Sequence, residues 1–230
     1  MTPEQDNFWE TFDFRMAFIS FDVHMLGRYL DMMESQLKKA GEIELSELEA
    51  CLSGQNDVAE EQYEIGRRAV KQSYEQFERY QRYSFLMLAF MVFEARSKEF
   101  CRILHNDKKL SLELNNLQGN LTERLKVFLC RYAKVLEEKW AVWEELQEFQ
   151  TIRNQIVHQN GICSAEDAKR RFEPMQERLP GFQVEEGAEG FQIQLSSEFC
   201  RYVVSSLERF FKEVEKKLQT SGSFATTPAT

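Results

Sequence analysis

The segment Arg153-Asn154-Gln155-Ile156-Val157-His158-Gln159-Asn160-Gly161 gathers a guanidinium, an imidazole and an amide beside apolar residues. An imidazole exchanges protons near neutral pH, and a guanidinium carries a permanent charge with forked donors suited to an oxyanion. Leu146, Phe149, Ile152, Ile156 and Val157 recur at helical spacing, so the segment reads as the end of an amphipathic helix spanning about Lys139 to Gln159. Asn154 and His158, four apart, fall nearly in line on one face, while Arg153 is offset from His158 by roughly 140° and must reach around. Asn160-Gly161 is a helix stop, because both residues tolerate the left-handed conformation. The bland alternative places His158 against the negative end of the helix dipole, with Arg153 solvated or paired with Glu148.

The other elements follow from apolar periodicity and scarce punctuation. Ten glycines and four prolines in 230 residues favour long helices over a many-stranded sheet. A first helix is expected from about Pro3 to Lys39, ended by Gly41, with Phe14, Phe18, Phe21, Met25 and Leu26 as its apolar stripe. A core face is the expected role of that stripe, and an adaptable partner surface the alternative. Leu45 to Leu52 reads as a separate short helix, and about Asn56 to Leu104 as one helix of more than ten turns, with Val70, Tyr74, Phe77, Phe85, Leu88, Val92 and Ile103 at helical spacing.

A polar connection from Asn106 to Asn120 carries a short helix near Leu110 to Leu114. Asn120 then caps a helix reaching about Glu137, with Leu121, Leu125, Phe128, Leu129, Tyr132 and Val135 along its stripe. Trp140 and Trp143 anchor the start of the helix that carries Arg153. Beyond Gly161, Ser164 to Leu179 reads as a short capped helix. Phe182, Val184 and Phe191, Ile193, Leu195 alternate around a glycine-containing turn, the pattern of a β-hairpin. The last helix runs from Ser197 to about Leu218, with Phe199, Val203, Leu207, Phe210, Phe211 and Val214 inward, and residues 220–230 form a disordered tail.

An arginine followed by a polar residue, then a histidine four to six positions on, late in an all-helical domain, resembles the signature of the HEPN superfamily (higher eukaryotes and prokaryotes nucleotide-binding domains). Arg153 to His158, RNQIVH, fits it with Asn154 in the favoured polar position, and the order of helices is similar over roughly Phe8 to Leu218. The resemblance implies an all-α HEPN-like bundle over residues 1–219 with a small β-hairpin insertion before the C-terminal helix. It also implies a homodimeric, metal-independent endoribonuclease needing no cofactor, with Arg153, Asn154 and His158 catalytic. RNA supplies its own nucleophile, the 2′-hydroxyl; His158 would move protons and Arg153 would hold the phosphate as charge develops.

A toxin or phage-defence effector, with an antitoxin or sensor as partner, is the biological role such a resemblance implies. Other members bind nucleotides or partner proteins without catalysis, and a purely structural scaffold is a further alternative. One toxin subgroup carries a modified tyrosine two positions after the histidine; here that position is Asn160, which departs from the pattern.

Composition narrows the partners. A net charge of -9 argues against nonspecific coating of nucleic acid, so RNA contact must be local. One candidate lies between Glu64 and His105, where eight basic residues (Arg67, Arg68, Lys71, Arg79, Arg82, Arg96, Lys98, Arg102) meet five glutamates; a solvated face of alternating charge is the competing account. Glu94 and Arg96 could buttress the motif or form a structural ion pair, and His24 and His105 read as structural or surface residues.

Five scattered cysteines, Cys51, Cys101, Cys130, Cys163 and Cys200, with no metal-binding spacing, read as reduced thiols. No leader pattern opens the sequence, and the longest apolar run, Phe85 to Phe93, is about half a bilayer span, so a cytoplasmic protein without a membrane partner is expected.

Overall fold

Two antiparallel helices of unusual length frame the molecule. A computed structural model of the chain describes residues 3–52, 58–187 and 189–220, with side chains described over 18–51, 61–187 and 189–219. α1 spans Pro3–Leu52 and α2 spans Val58–Lys108. α1 does not end at Gly41; it absorbs the expected short helix beyond it. Glycine weakens a helix by about 1 kcal/mol, but here it admits the Tyr74 ring, which would stand 3.1 Å from any Cβ added at Gly41. α2 is one uninterrupted helix, as its periodicity predicts.

After a 3-10 turn at Leu114–Asn116 comes α3, Leu121–Val127, which widens into a π-type turn over Phe128–Tyr132 and stops short of the expected Glu137. Asn120 caps α3: its side chain accepts the Glu123 N–H at 2.9 Å, and the Glu123 carboxylate takes the Asn120 N–H at 3.0 Å. α4 follows at Val142–Gln159, then the two-residue strand β1, Ile162–Cys163. A helical run capped by Ser164 comprises α5, Ala165–Asp167, a π-type turn at Ala168–Phe172 and α6, Glu173–Gln176.

The hairpin is β2, Phe182–Gly187, and β3, Gly190–Leu195, with Phe182 opposite Leu195 and Val184 opposite Ile193. β1 adds to the outer side of β3 and makes a three-stranded antiparallel sheet, order β1-β3-β2, so the insertion is larger than the expected hairpin. Two residues are too few to show an alternation, so nothing in the sequence marks β1. α7, Ser197–Thr220, closes the fold and buries Phe199, Val203, Leu207, Phe210, Phe211 and Val214 as its pattern predicts. The chain is therefore mostly helical with a small sheet before the C-terminal helix, and the expected tail beyond Thr220 lies outside the described residues.

The core sits among α1, α2, α4 and α7. Phe93, Phe210 and Phe211 meet edge-on, and Trp140 stacks on Phe210 at 5.9 Å. α1 corrects the expectation for its apolar stripe. Ile19, Val23, Leu26 and Leu30 point inward, whereas Phe18, Phe21 and Met25 are exposed; the Phe14 side chain lies outside the described ones. Among the described residues of the expected stripe, Leu26 alone is in the core, because α7 and α2 both pack on the face centred between Val23 and Leu26.

Candidate functional site

α4 carries the motif on a well-held scaffold. Val142, Trp143, Leu146, Phe149, Ile152 and Ile156 are all buried, and the Trp143 indole donates to the Glu137 carbonyl at 3.0 Å. Burying this stripe of large side chains fixes the rotation of the helix, so the polar residues of its other side are presented in one orientation.

The last turn is closed with equal care. Asn160 adopts φ 50 and Gly161 φ 74, and the N–H groups of both return to the Gln155 carbonyl. The Gln155 amide donates to the Ile162 carbonyl at 2.5 Å. From β3, the Gln192 amide donates to the Asn160 carbonyl at 3.0 Å and to the Tyr83 hydroxyl at 2.9 Å. Tyr83 in turn donates to the Ile193 carbonyl at 2.5 Å, and the Ile193 N–H binds the Gly161 carbonyl at 2.9 Å.

Burial pushes the Tyr83 hydroxyl up to about 12, so it stays a neutral donor across the physiological range. A Cβ at Gly161 would overlap that hydroxyl, which makes glycine obligatory for space as well as for backbone conformation. Tyr83 and Gln192 are thus the supports that sequence reasoning missed. Each looks ordinary in its own element; only the packing of the sheet against α2 brings them to the end of α4.

The three motif residues divide into a pair and a neighbour. The Arg153 guanidinium is half-buried and donates from Nη1 to Asn154 Oδ1 at 3.0 Å. Its Nε is buried without a hydrogen-bond partner, and no carboxylate lies within ion-pairing distance of it among the described residues. Glu148, the partner that the bland alternative offers Arg153, pairs instead with Arg178. His158 is exposed one turn beyond Asn154 and makes no hydrogen bond among the described residues. Asn154 is therefore engaged with Arg153 rather than with the imidazole, although its spacing aligns it with His158.

A half-buried guanidinium that meets only a neutral amide, on the same last turns of α4 as an exposed imidazole, has the chemistry to hold an oxyanion and to exchange a proton. No cluster of three or more metal-ligating side chains occurs among the described residues.

The basic stretch of α2 behaves otherwise. Arg67 pairs with Glu64, Arg82 with Glu34 and Glu78, Arg96 with Asp22 and Glu99, and Lys98 with Glu94. Arg79 lies over the Tyr80 ring at 5.2 Å. Glu94 and Arg96 are thus structural ion pairs and not supports of the motif. His24 is exposed on α1. His105, at 3.3 Å from the Asn106 amide, lines a groove of about 280 Å³ with Lys98, Arg102 and Glu113, apart from His158.

The thiols are all free: Cys101, Cys163 and Cys200 are buried and Cys51 is exposed. No helix among the described residues is long and apolar enough to cross a membrane. Comparison with models of known families, with curated proteins and with solved structures finds no match for this chain.

Proposed function

We propose that this chain is a metal-independent endoribonuclease of HEPN type, in which His158 moves protons and Arg153, steadied by Asn154, binds the scissile phosphate. The observation that carries the reading is the state of Arg153: a half-buried guanidinium with an unpartnered Nε and no carboxylate to neutralise it. A half-buried cation with no acid beside it is incompletely compensated, and an anionic substrate is the group that would compensate it. The 2′-hydroxyl attacks the adjacent phosphorus as it loses its proton, the 5′-oxygen leaves with a proton, and the products are a 2′,3′-cyclic phosphate and a 5′-hydroxyl end. DNA, lacking the 2′-hydroxyl, survives.

Cyclisation uses a proton acceptor and a proton donor, and one chain offers one histidine at the site. Two-fold pairing would bring a second Arg153, Asn154 and His158 to the same cleft. The cellular role that goes with this reading is a cytoplasmic toxin or phage-defence effector restrained by an antitoxin or sensor protein.

Purified protein incubated with mixed RNA in EDTA, beside the His158→Ala variant, tests the reading. Cleavage by the wild type alone, leaving cyclic phosphates, is the expected result. Nucleotide binding without cleavage would instead make the same helix end a binding module. In bacteria, the wild type should slow growth and the His158→Ala chain should not; equal toxicity from both would remove the nuclease as its cause.

A further inference from the structure

We propose that the pocket between α2 and the β-hairpin is a guanine subsite, which holds a guanine of the RNA strand beside the cut. Gln72, Gln76, Arg79 and Arg82 of α2 and Glu185 and Gln194 of the hairpin line a pocket of about 520 Å³, within the ~300–1,000 Å³ usual for small-ligand sites.

The lining holds two opposite charges that do not meet. Arg79 is half-buried, and no carboxylate lies within ion-pairing distance of it among the described residues. Its guanidinium lies over the Tyr80 ring at 5.2 Å, and its Nε is buried without a hydrogen-bond partner. Stacking uses the flat face of a guanidinium and the buried Nε is out of reach, so the terminal Nη groups are the donors left for a ligand. Glu185 is exposed on β2 and pairs with no cation among the described residues. Arg82, by contrast, is held by Glu34 and Glu78 and forms part of the wall.

Strand register sets this pocket beside the motif. Glu185 stands opposite Gln192, and Gln194 follows Gln192 on the same face of β3. The Gln192 amide is the one that holds the Asn160 carbonyl and the Tyr83 hydroxyl. Directly opposite residues have Cβ atoms about 5 Å apart, so with the 3.0 Å bond to Asn160 the pocket edge lies on the order of 10 Å from the end of α4. Arg79 is one turn before Tyr83 on α2. Burial raises the Tyr83 hydroxyl while the Gln192 bond and the Arg79 charge oppose that rise, so the guanidinium stands near the same network. A strand whose phosphate meets Arg153 has the base beside the cut, or the next one along, within reach of the pocket.

The ligand follows from what can bridge the two charges. Glu75, Glu78 and Glu185 outnumber Arg79 and Arg82 along the lining, so the pocket is no trap for a phosphate. It suits a neutral group that accepts on one edge and donates on another. Guanine accepts at its carbonyl oxygen and imidazole-ring nitrogen, the pair that an arginine takes bidentately, and its ring N–H and amino group donate from the pairing edge to a carboxylate. Bases splayed out of single-stranded RNA are read on both of those edges, and the amides of Gln72, Gln76 and Gln194 serve the remaining polar atoms. Adenine sets a donor beside its imidazole-ring acceptor, and the pyrimidines carry their donors and acceptors along one edge, so none of the three spans Arg79 and Glu185 in this way.

The place beside the cut rests on the nuclease reading of α4, whereas recognition of the base does not, so the first measurement is binding without cleavage. Calorimetric titration of the full wild-type chain with the four ribonucleoside 5′-monophosphates should show guanosine monophosphate bound about tenfold more tightly than the others, the scale of one bidentate base contact. Arg79→Gln and Glu185→Gln should each abolish that preference, and Arg153→Ala should keep it. Equal binding of the four, no binding, or a preference that survives both pocket variants overturns the proposal. So does a preference lost with Arg153→Ala, which would put the nucleotide on the motif.

If a pocket variant fails to fold, analogues decide on the wild type alone. The monophosphate of 7-deazaguanosine lacks the imidazole-ring acceptor and that of inosine lacks the amino donor, and each should bind about tenfold less tightly than the guanosine compound. Unchanged affinity for both overturns the site. On RNA, the cut should fall at a fixed position relative to a guanine. A chain that selects guanosine monophosphate and leaves RNA whole supports the guanine site and removes the nuclease reading. A chain that cuts RNA without base preference and binds the four monophosphates alike keeps the nuclease and overturns the site.

Discussion

The end of α4 and the basic stretch of α2 both concentrate cations, and they differ in what their neighbours do with them. Along α2, the cations of Arg67, Arg82, Arg96 and Lys98 are each met by a carboxylate. At the end of α4, Arg153 is half-buried and meets only the neutral amide of Asn154. Five of the eight cations of that stretch, Arg67, Lys71, Arg82, Arg96 and Lys98, answer their own acids, and Arg79 lies over the Tyr80 ring; Arg153 has only an amide beside it, and a cation without an acid makes a place for an anion. The number of basic residues in a segment is therefore a poorer guide to substrate than the partners each one has.

The largest effects should come from removing the uncompensated pair. Arg153→Ala and His158→Ala are each expected to lower RNA cleavage by at least ~100-fold, the usual scale for losing a proton-transfer or oxyanion group. Both should melt within a few degrees of the wild type, because neither side chain contributes to the apolar stripe of α4. Variants that melt far below it would make the motif structural and remove the contrast with α2. Asn154→Ala should cost less, about tenfold, since Arg153 keeps its charge and loses only an orienting acceptor.

A second group of changes attacks the supports. Gly161→Ala forces a side chain onto a residue at φ 74 and against the Tyr83 hydroxyl, and should destabilise by about 2 kcal/mol, read by denaturant unfolding. Tyr83→Phe removes the donor to the Ile193 carbonyl and the acceptor for Gln192, and should cost about 1–2 kcal/mol. If this network positions His158, Tyr83→Phe should lower kcat more than it raises KM. A loss of stability with unchanged kcat would mean that the cap merely ends the helix.

Much of this framework was legible in the residues. The Asn-Gly stop, the Asn120 cap, the unbroken α2 and the inward stripe of α7 each follow from a local pattern whose cause is local, whether backbone freedom, a side-chain acceptor or a 3.6-residue period. What was not legible depends on partners distant in sequence. Gly41 reads as a stop until Tyr74 fills the space beside it. Phe18, Phe21 and Met25 look like a core stripe until α7 is seen to take the adjacent face. β1 is too short to announce itself, and the reach of Tyr83 and Gln192 to the end of α4 exists only once α2 and the sheet are packed together. At the site itself, spacing aligned Asn154 with His158, but the shorter reach to Arg153 won.

The smallest expected effect is the sharpest check on the contrast between the two regions. Arg67→Gln combined with Lys71→Gln removes two cations from the α2 stretch while leaving Glu64 and Glu75, their neighbours one turn away, in place. If RNA tracked along α2, losing two phosphate contacts would weaken binding and reduce the steepness of its salt dependence by nearly two. The ion pairs predict otherwise, because a cation already answered by its own carboxylate has little left to offer a phosphate, and freeing the carboxylates adds only screened repulsion at an exposed surface. Cleavage should therefore stay within about twofold of the wild type, with the salt slope unchanged. A reduced slope would show that RNA displaces the glutamates, and the α2 stretch would then join the end of α4 as part of one binding surface.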